Sequence, residues 1–311
     1  LHTAYRRQRQ MCIRDRVLPE TIKYLKKNVM GMMSAKLGGV VVVGTDNILL
    51  SAFIGLSAVG GYSNYTLIIT GVTTIINQAI SAVTASIGNL NVTESISKQV
   101  TVFYKYSYLS GIVGFVLSIG LITFFQPFIS IWVGNRYLMS PIVTWLIVIV
   151  FFVTQLRQAN INFTNAYGLY WEQRYKPLFE AGLNLVGSFL LIKYTNLGIS
   201  SVLIGTLLSN LLINSWWEPW IVMRYGLHSS LKKYFKFYFT QILIGIVLIT
   251  LSQLVADKIY VLNSNFFVSM VTTAIVITVS SILFSSLVNL LGFPSNESKM
   301  HILEIIKIFK S

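Results

Sequence analysis

The sequence predicts an all-α integral membrane protein with about eight transmembrane helices. Three observations lead there. Stretches without a single Asp, Glu, Lys or Arg run through 47–93, 106–135, 137–156, 194–217, 237–256 and 259–296. A hydrocarbon core of roughly 30 Å takes about 20 helical residues to cross, so the first stretch holds most of two crossings and the turn between them. The composition agrees: 54% of the 311 residues are hydrophobic and 11% charged, where soluble domains carry about 25% charged residues. The third observation is that nearly all the charge falls between these stretches. Apolar residues come in blocks rather than alternating, which excludes an outer-membrane barrel.

The expected spans are 28–50, 63–89, 105–127, 141–166, 177–194, 199–223, 237–257 and 265–292. Pro141 and Pro177 stand at helix starts, where a missing N–H costs nothing. Gly60, Gly61, Gly134 and Gly198 read as turn residues. Orientation follows from the basic residues. One set of alternate loops and span ends carries fifteen, at positions 23, 26, 27, 36, 98, 105, 174, 176, 224, 232, 233, 236, 299, 307 and 310. The other carries only Arg136, Lys193 and Lys258. That bias places both termini in the cytoplasm. Trp216, Trp217, Trp220, Tyr225, Tyr234 and Tyr238 crowd one inner boundary, as an interfacial belt does. The net charge of +14 is therefore a membrane-orientation signal and does not indicate nucleic acid.

The two ends differ in style from the rest. Residues 1–16, LHTAYRRQRQMCIRDR, hold five Arg, one Asp and the only Cys. They read as a non-native leader, leaving native sequence from about Val17. The chain then divides into a six-helix unit over 17–230, two further helices over 231–293 and a cytoplasmic tail over 294–311. In that tail Ile alternates with Lys and Glu, the pattern of a short surface helix.

Polar residues inside spans are costly and usually face a bundle interior or a wet cavity. In the second span Thr66, Thr70, Thr73, Asn77, Ser81 and Thr84 recur at three- and four-residue spacing on one face. That face lines either a hydrated pathway or a close helix contact, and Asn77 favours the pathway. The fourth span reads TQLRQANINFTNAYG in its inner half, with Arg157, Asn160 and Thr164 within about 60° of each other. Gln158 widens this polar arc. On the first span, Lys36 and Asn47 share a face, where Lys36 either lines a path or snorkels to the inner surface, and Asp46 sits near the outer end, within reach of outer water. The substrate-path candidates are therefore Arg157, Lys36, Asn77, Asn160, Thr164 and Gln158. The ionisable coupling or pairing candidates are Asp46, Glu180 and Glu218, and either glutamate can pair with Arg157.

Soluble-enzyme signatures are missing: the sequence has no phosphate-binding Walker loop, HExxH, CxxC or His pair at ligand spacing. No cofactor, metal or catalytic residue is expected.

The stretch TDNILLSAFIGLSAVGGYSNY, Thr45–Tyr65, resembles the opening of the second lobe of Wzx-type polysaccharide repeat-unit flippases. These belong to the multidrug/oligosaccharidyl-lipid/polysaccharide exporter superfamily. The segment WWEPWIVMRYGL, Trp216–Leu227, is similar to the Glu-Pro and aromatic segment at the inner end of a late helix in that family. The resemblance runs from Val17 to about Phe293. It implies a two-lobed, V-shaped exporter fold, of which this chain supplies the second six-helix lobe plus two C-terminal helices and lacks the first lobe. It also implies a bacterial cytoplasmic-membrane location and transfer of an undecaprenyl-pyrophosphate-linked oligosaccharide from inner to outer leaflet by alternating access. The implied partners are that lipid-linked oligosaccharide, the lipid bilayer, the missing lobe and other polysaccharide-assembly proteins. The alternatives are another exporter of the superfamily, for drugs or lipid II, and a membrane-embedded polymerase or acyltransferase. The short outer loops speak against the polymerase.

Overall fold

The computed structural model describes residues 18–262 and 266–293, so the leader at 1–16 and the tail at 294–311 lie outside the described residues. The described residues are helical, with short turns and no strand. Ten α-helices follow in order: α1 Pro19–Phe53, α2 Leu56–Thr93, α3 Ile96–Trp132, α4 Pro141–Leu156, α5 Gln158–Ala166, α6 Lys176–Tyr194, α7 Ile199–Ser209, α8 Ser215–Ile221, α9 Leu231–Leu262 and α10 Phe266–Leu291. The pairs α4–α5 and α7–α8 are each one span with an interruption. Among the described residues seven helices are long and apolar enough to cross a membrane.

The expected fifth span, 177–194, is present as α6, 19 residues long, but it is not among those seven. Lys176, Glu180, Asn184, Ser188 and Lys193 dilute its hydropathy. Its polar face lies against α1 and α7, while Leu178, Phe179, Val186 and Leu190 on its other side stay exposed. The first three helices overrun their expected ends, and at 35, 38 and 37 residues they exceed a bilayer core.

Pro141 and Pro177 occupy first-turn positions of α4 and α6, where no N–H is needed. Gly134 and Gly198 take positive φ at the turns, as their positions predicted. Gly60 and Gly61 do not turn; both lie inside α2. The reversal between α1 and α2 falls at Gly55, with φ of +113°, a conformation side-chain-bearing residues rarely adopt.

An aromatic core holds α3, α4, α5, α9 and α10 together. Phe115 and Phe284 stack at 4.4 Å, and Phe152 meets Phe284 edge-on at 6.3 Å. A Cβ on Gly245 would sit 2.3 Å from the Phe152 ring, so glycine lets α9 approach α4. Small-residue contact of this kind replaces the hydrophobic effect as the adhesive between membrane helices. Tyr108 bonds the Ser285 carbonyl at 2.9 Å, which builds α10 into the same core as α3.

Tyr234 and Tyr238, read from sequence as part of the interfacial belt, are core residues at 1% exposure. They stack on each other at 5.6 Å. Their hydroxyls find Asn160 and Ser215, at 2.7 and 2.8 Å. Trp216 and Tyr225 do remain exposed.

Candidate functional site

Among the described residues two polar systems at membrane depth contain charged side chains. The first is a seam between antiparallel α6 and the α7–α8 span. Lys176, Glu180, Asn184 and Ser188 recur every fourth residue on α6. Thr206, Asn210, Asn214 and Glu218 do the same on the facing span. Residues four apart lie one above the other on a helix, so each set forms a single ridge. The ridges meet in reverse order. Lys176 Nζ donates to Glu218 Oε1 at 2.8 Å, Asn214 Nδ2 to Glu180 Oε1 at 2.6 Å and Asn184 Nδ2 to Thr206 Oγ1 at 3.0 Å. Ser188 faces Gly205, where an added Cβ would lie 2.1 Å from its hydroxyl.

A residue from another helix closes each end of the seam. At one end the chain breaks between α4 and α5, where the Arg157 N–H bonds the Thr154 carbonyl at 3.2 Å. This tighter turn aims the guanidinium across the bundle. Arg157 Nε and Nη2 donate to the two Glu218 oxygens at 3.0 and 2.6 Å, and Nη1 donates to Asn210 Oδ1. Lys176 also pairs with Glu180 at 3.1 Å. Two cations and two carboxylates therefore balance. This matters because Arg157 is 5% and Glu218 2% exposed, and an unbalanced buried charge is severely penalised. π-helical turns at Asn210–Asn214 and Val222–Gly226 flank Pro219, which lacks the N–H for a regular ladder.

At the other end Thr206 Oγ1 donates to Asp46 Oδ2 at 3.3 Å. Asp46 Oδ1 and Asn184 Oδ1 are buried without hydrogen-bond partners, and no described cation pairs with Asp46.

The second system is a wall. Lys36 on α1 and Asn77 on α2 are exposed, as are Asn47 and Thr70, while Thr66 and Thr73 are half-buried. Lys36 makes no ion pair with a described carboxylate. Lys36 lies 17 residues before the end of α1, and Asn77 lies 21 residues after the start of α2. At about 1.5 Å per residue, that is roughly 26 and 32 Å of helix from the turn joining them. The two side chains thus stand at similar depth on consecutive helices. The Ser81 side chain lies outside the described residues.

The structure thus separates the candidates. Arg157, Glu180 and Glu218 join in one network, and Asp46 closes the far end of the same seam. Asn160 and Thr164 are buried beside it: Asn160 donates to Tyr234, while its Oδ1 and the Thr164 hydroxyl have no partner. Gln158 bonds its helical neighbour Asn162 at 3.4 Å. Only Lys36 and Asn77 stand on the open wall.

Sequence reasoning missed Lys176, Asn184, Thr206, Asn210 and Asn214 as site members. The strict four-residue spacing was the signal that could have found them. Among the described residues no group of three or more His, Cys, Asp or Glu could hold a metal ion. Comparison with protein families, curated proteins and solved structures gives no match.

Proposed function

We propose that this chain is part of a flippase that moves undecaprenyl-pyrophosphate-linked oligosaccharide units from the inner to the outer leaflet of the bacterial cytoplasmic membrane, with both termini in the cytoplasm. One observation carries the reading: an exposed polar row on α2 and, on an α1 face otherwise made of exposed Val29, Met33, Val40 and Val43, an unpaired cation, Lys36, stand at membrane depth. Such a face is costly against hydrocarbon and is retained where it meets water, substrate or another protein. In the proposal the wall faces a cavity shared with a second lobe or partner. Lys36 meets the pyrophosphate as it enters, while Asn77, Asn47 and the threonine row replace sugar hydration. The α1–α2 pair is also where the sequence resembles the flippase family.

Arg157 takes a different part. With Nε, Nη1 and Nη2 all engaged, it reaches an anion only if Glu218 lets go. In the proposal the Arg157–Glu218–Lys176 network sets the shape of the inner half of the bundle, and the wall carries the substrate.

The test is genetic and chemical together. Deleting the gene should abolish surface polysaccharide and accumulate the lipid-linked unit on the inner leaflet. Lys36→Ala should reproduce that phenotype at normal protein abundance. Normal export in the deletion strain would overturn the assignment, and normal export with Lys36→Ala would remove Lys36 from the path.

A further inference from the structure

Away from the polar systems, α2 and α3 line a groove of about 320 Å³. It lies in the half of both helices nearer the Gly55 and Gly134 turns. Ile68 and Val72 form one wall, and the α3 stripe from Leu117 to Phe128 forms the floor and the other wall. Every lining residue is apolar or glycine. Leu121 and Phe125 are buried at the bottom, whereas Phe124 and Phe128 are 44% and 50% exposed at the rim. Gly120 gives the groove its depth, because a Cβ there would meet nothing within 4 Å. Beyond one end, Tyr65 and Gln126 hydrogen-bond at 3.2 Å and tie the helices together.

We propose that this groove binds one fatty acyl chain of a bilayer phospholipid. The groove belongs to two helices apolar and long enough to span a membrane, so hydrocarbon is the medium at its mouth. Transfer from lipid to groove gains nothing from the hydrophobic effect, since both are equally apolar. The gain comes from filling: an empty slot forfeits the dispersion contacts of every atom lining it. A helix of roughly 10 Å diameter cannot enter a slot this size. A single chain can lie along it, between the Phe124 and Phe128 rings on one side and Ile68 and Val72 on the other. Those walls restrict lateral exchange, which distinguishes the site from exposed faces such as Leu243 on α9, 68% exposed. The proposal rests on membrane placement and is independent of the transport reading.

The experiment places the photoreactive residue p-benzoylphenylalanine at Phe124 or, as a control, at Leu243. The protein is reconstituted in vesicles of phosphatidylethanolamine and phosphatidylglycerol, and adducts are identified by mass spectrometry after illumination. The phospholipid adduct at position 124 should exceed that at 243 several-fold. Gly120→Leu, whose Cβ would meet nothing within 4 Å and whose apparent Tm is checked beside the parent, should lower it to the control level. Equal yields at the two positions would overturn the proposal. So would an unchanged yield in Gly120→Leu, or an adduct at 124 formed with a second copy of the chain.

Discussion

Replacing Glu218 by Gln is the sharpest perturbation of the seam. The carboxylate accepts from Arg157 Nε and Nη2 and from Lys176 Nζ, at 3.0, 2.6 and 2.8 Å. The substitution preserves shape and removes one negative charge. Lys176 keeps Glu180 at 3.1 Å. Arg157 keeps only the Asn210 side-chain oxygen and the new amide, so a guanidinium 5% exposed is left without a counter-charge. Breaking a buried pair on one side costs about 3–5 kcal/mol. At about 2 °C or more per kcal/mol for a chain of this size, the apparent Tm should fall by roughly 6–10 °C. The assay is thermal unfolding of the detergent-solubilised protein, followed by fluorescence-detected size exclusion. The double variant Arg157→Met/Glu218→Gln supplies the control: with the guanidinium gone, most of the loss should be recovered. Directly bonded partners are non-additive by about 0.5–3 kcal/mol. A single-variant loss under about 1 kcal/mol, or strict additivity in the double variant, would refute the claim that charge balance holds this end of the seam.

Other outcomes follow from the same geometry. Gly205→Val should lower the apparent Tm by the equivalent of about 1–3 kcal/mol, because its Cβ would lie 2.1 Å from Ser188 Oγ and 2.9 Å from the Ser188 nitrogen. Gly39→Ala, where a Cβ meets nothing within 4 Å, is the control in the same melt and should hold the apparent Tm or raise it by the equivalent of about 1 kcal/mol. Asp46→Asn should raise the apparent Tm by the equivalent of about 1 kcal/mol. It removes a carboxylate with no described cation and supplies an amide donor beside the orphaned Asn184 Oδ1. A lower Tm for Asp46→Asn would show that the carboxylate has a counter-ion in the membrane. In a Cys12→Ser background, Thr70→Cys and Asn77→Cys should react with a hydrophilic thiol reagent in sealed vesicles, and Leu243→Cys should not. Equal protection of all three would place the wall in lipid.

The spans were legible because lack of charge is a one-dimensional signal. Their boundaries were less so, since helix continues past the bilayer edge wherever a good residue follows, as in the 35 residues of α1. The turn at Gly55 was missed in favour of Gly60 and Gly61 because sequence shows where glycine is and not where φ is positive. Glu180 and Glu218 were both open as partners for Arg157; Glu218 is the one that meets it. That choice depends on the break at Arg157 and on α6 lying against the α7–α8 span, neither of which a single segment encodes. The seam itself was readable as two four-residue ladders. It was missed because each polar residue was weighed within its own span rather than against the ladder on the next. Contacts such as Tyr65 with Gln126, or Asn160 with Tyr234, join residues 61 and 74 positions apart and have no local signature.

What separates the two polar systems is satisfaction. In the ion-pair end of the seam every charge has an opposite charge within 3.1 Å, and all the groups but the half-buried Glu180 are buried. An arrangement that neutralises itself needs no ligand, so polarity at membrane depth is not by itself evidence of a binding path. The wall is the opposite case. Lys36 has no described counter-charge, and Asn77 and Thr70 are open, with only the Thr70 hydroxyl bonded back to its own helix, at Thr66. A helix can hide a threonine in this way, and a lysine ammonium can escape only by reaching along its own stem toward the interface, but a carboxamide has neither route. The unmet demand for charge and hydrogen bonds is therefore concentrated at Lys36 and Asn77. Any partner that covers this face must bring anionic and hydrogen-bonding groups to that depth.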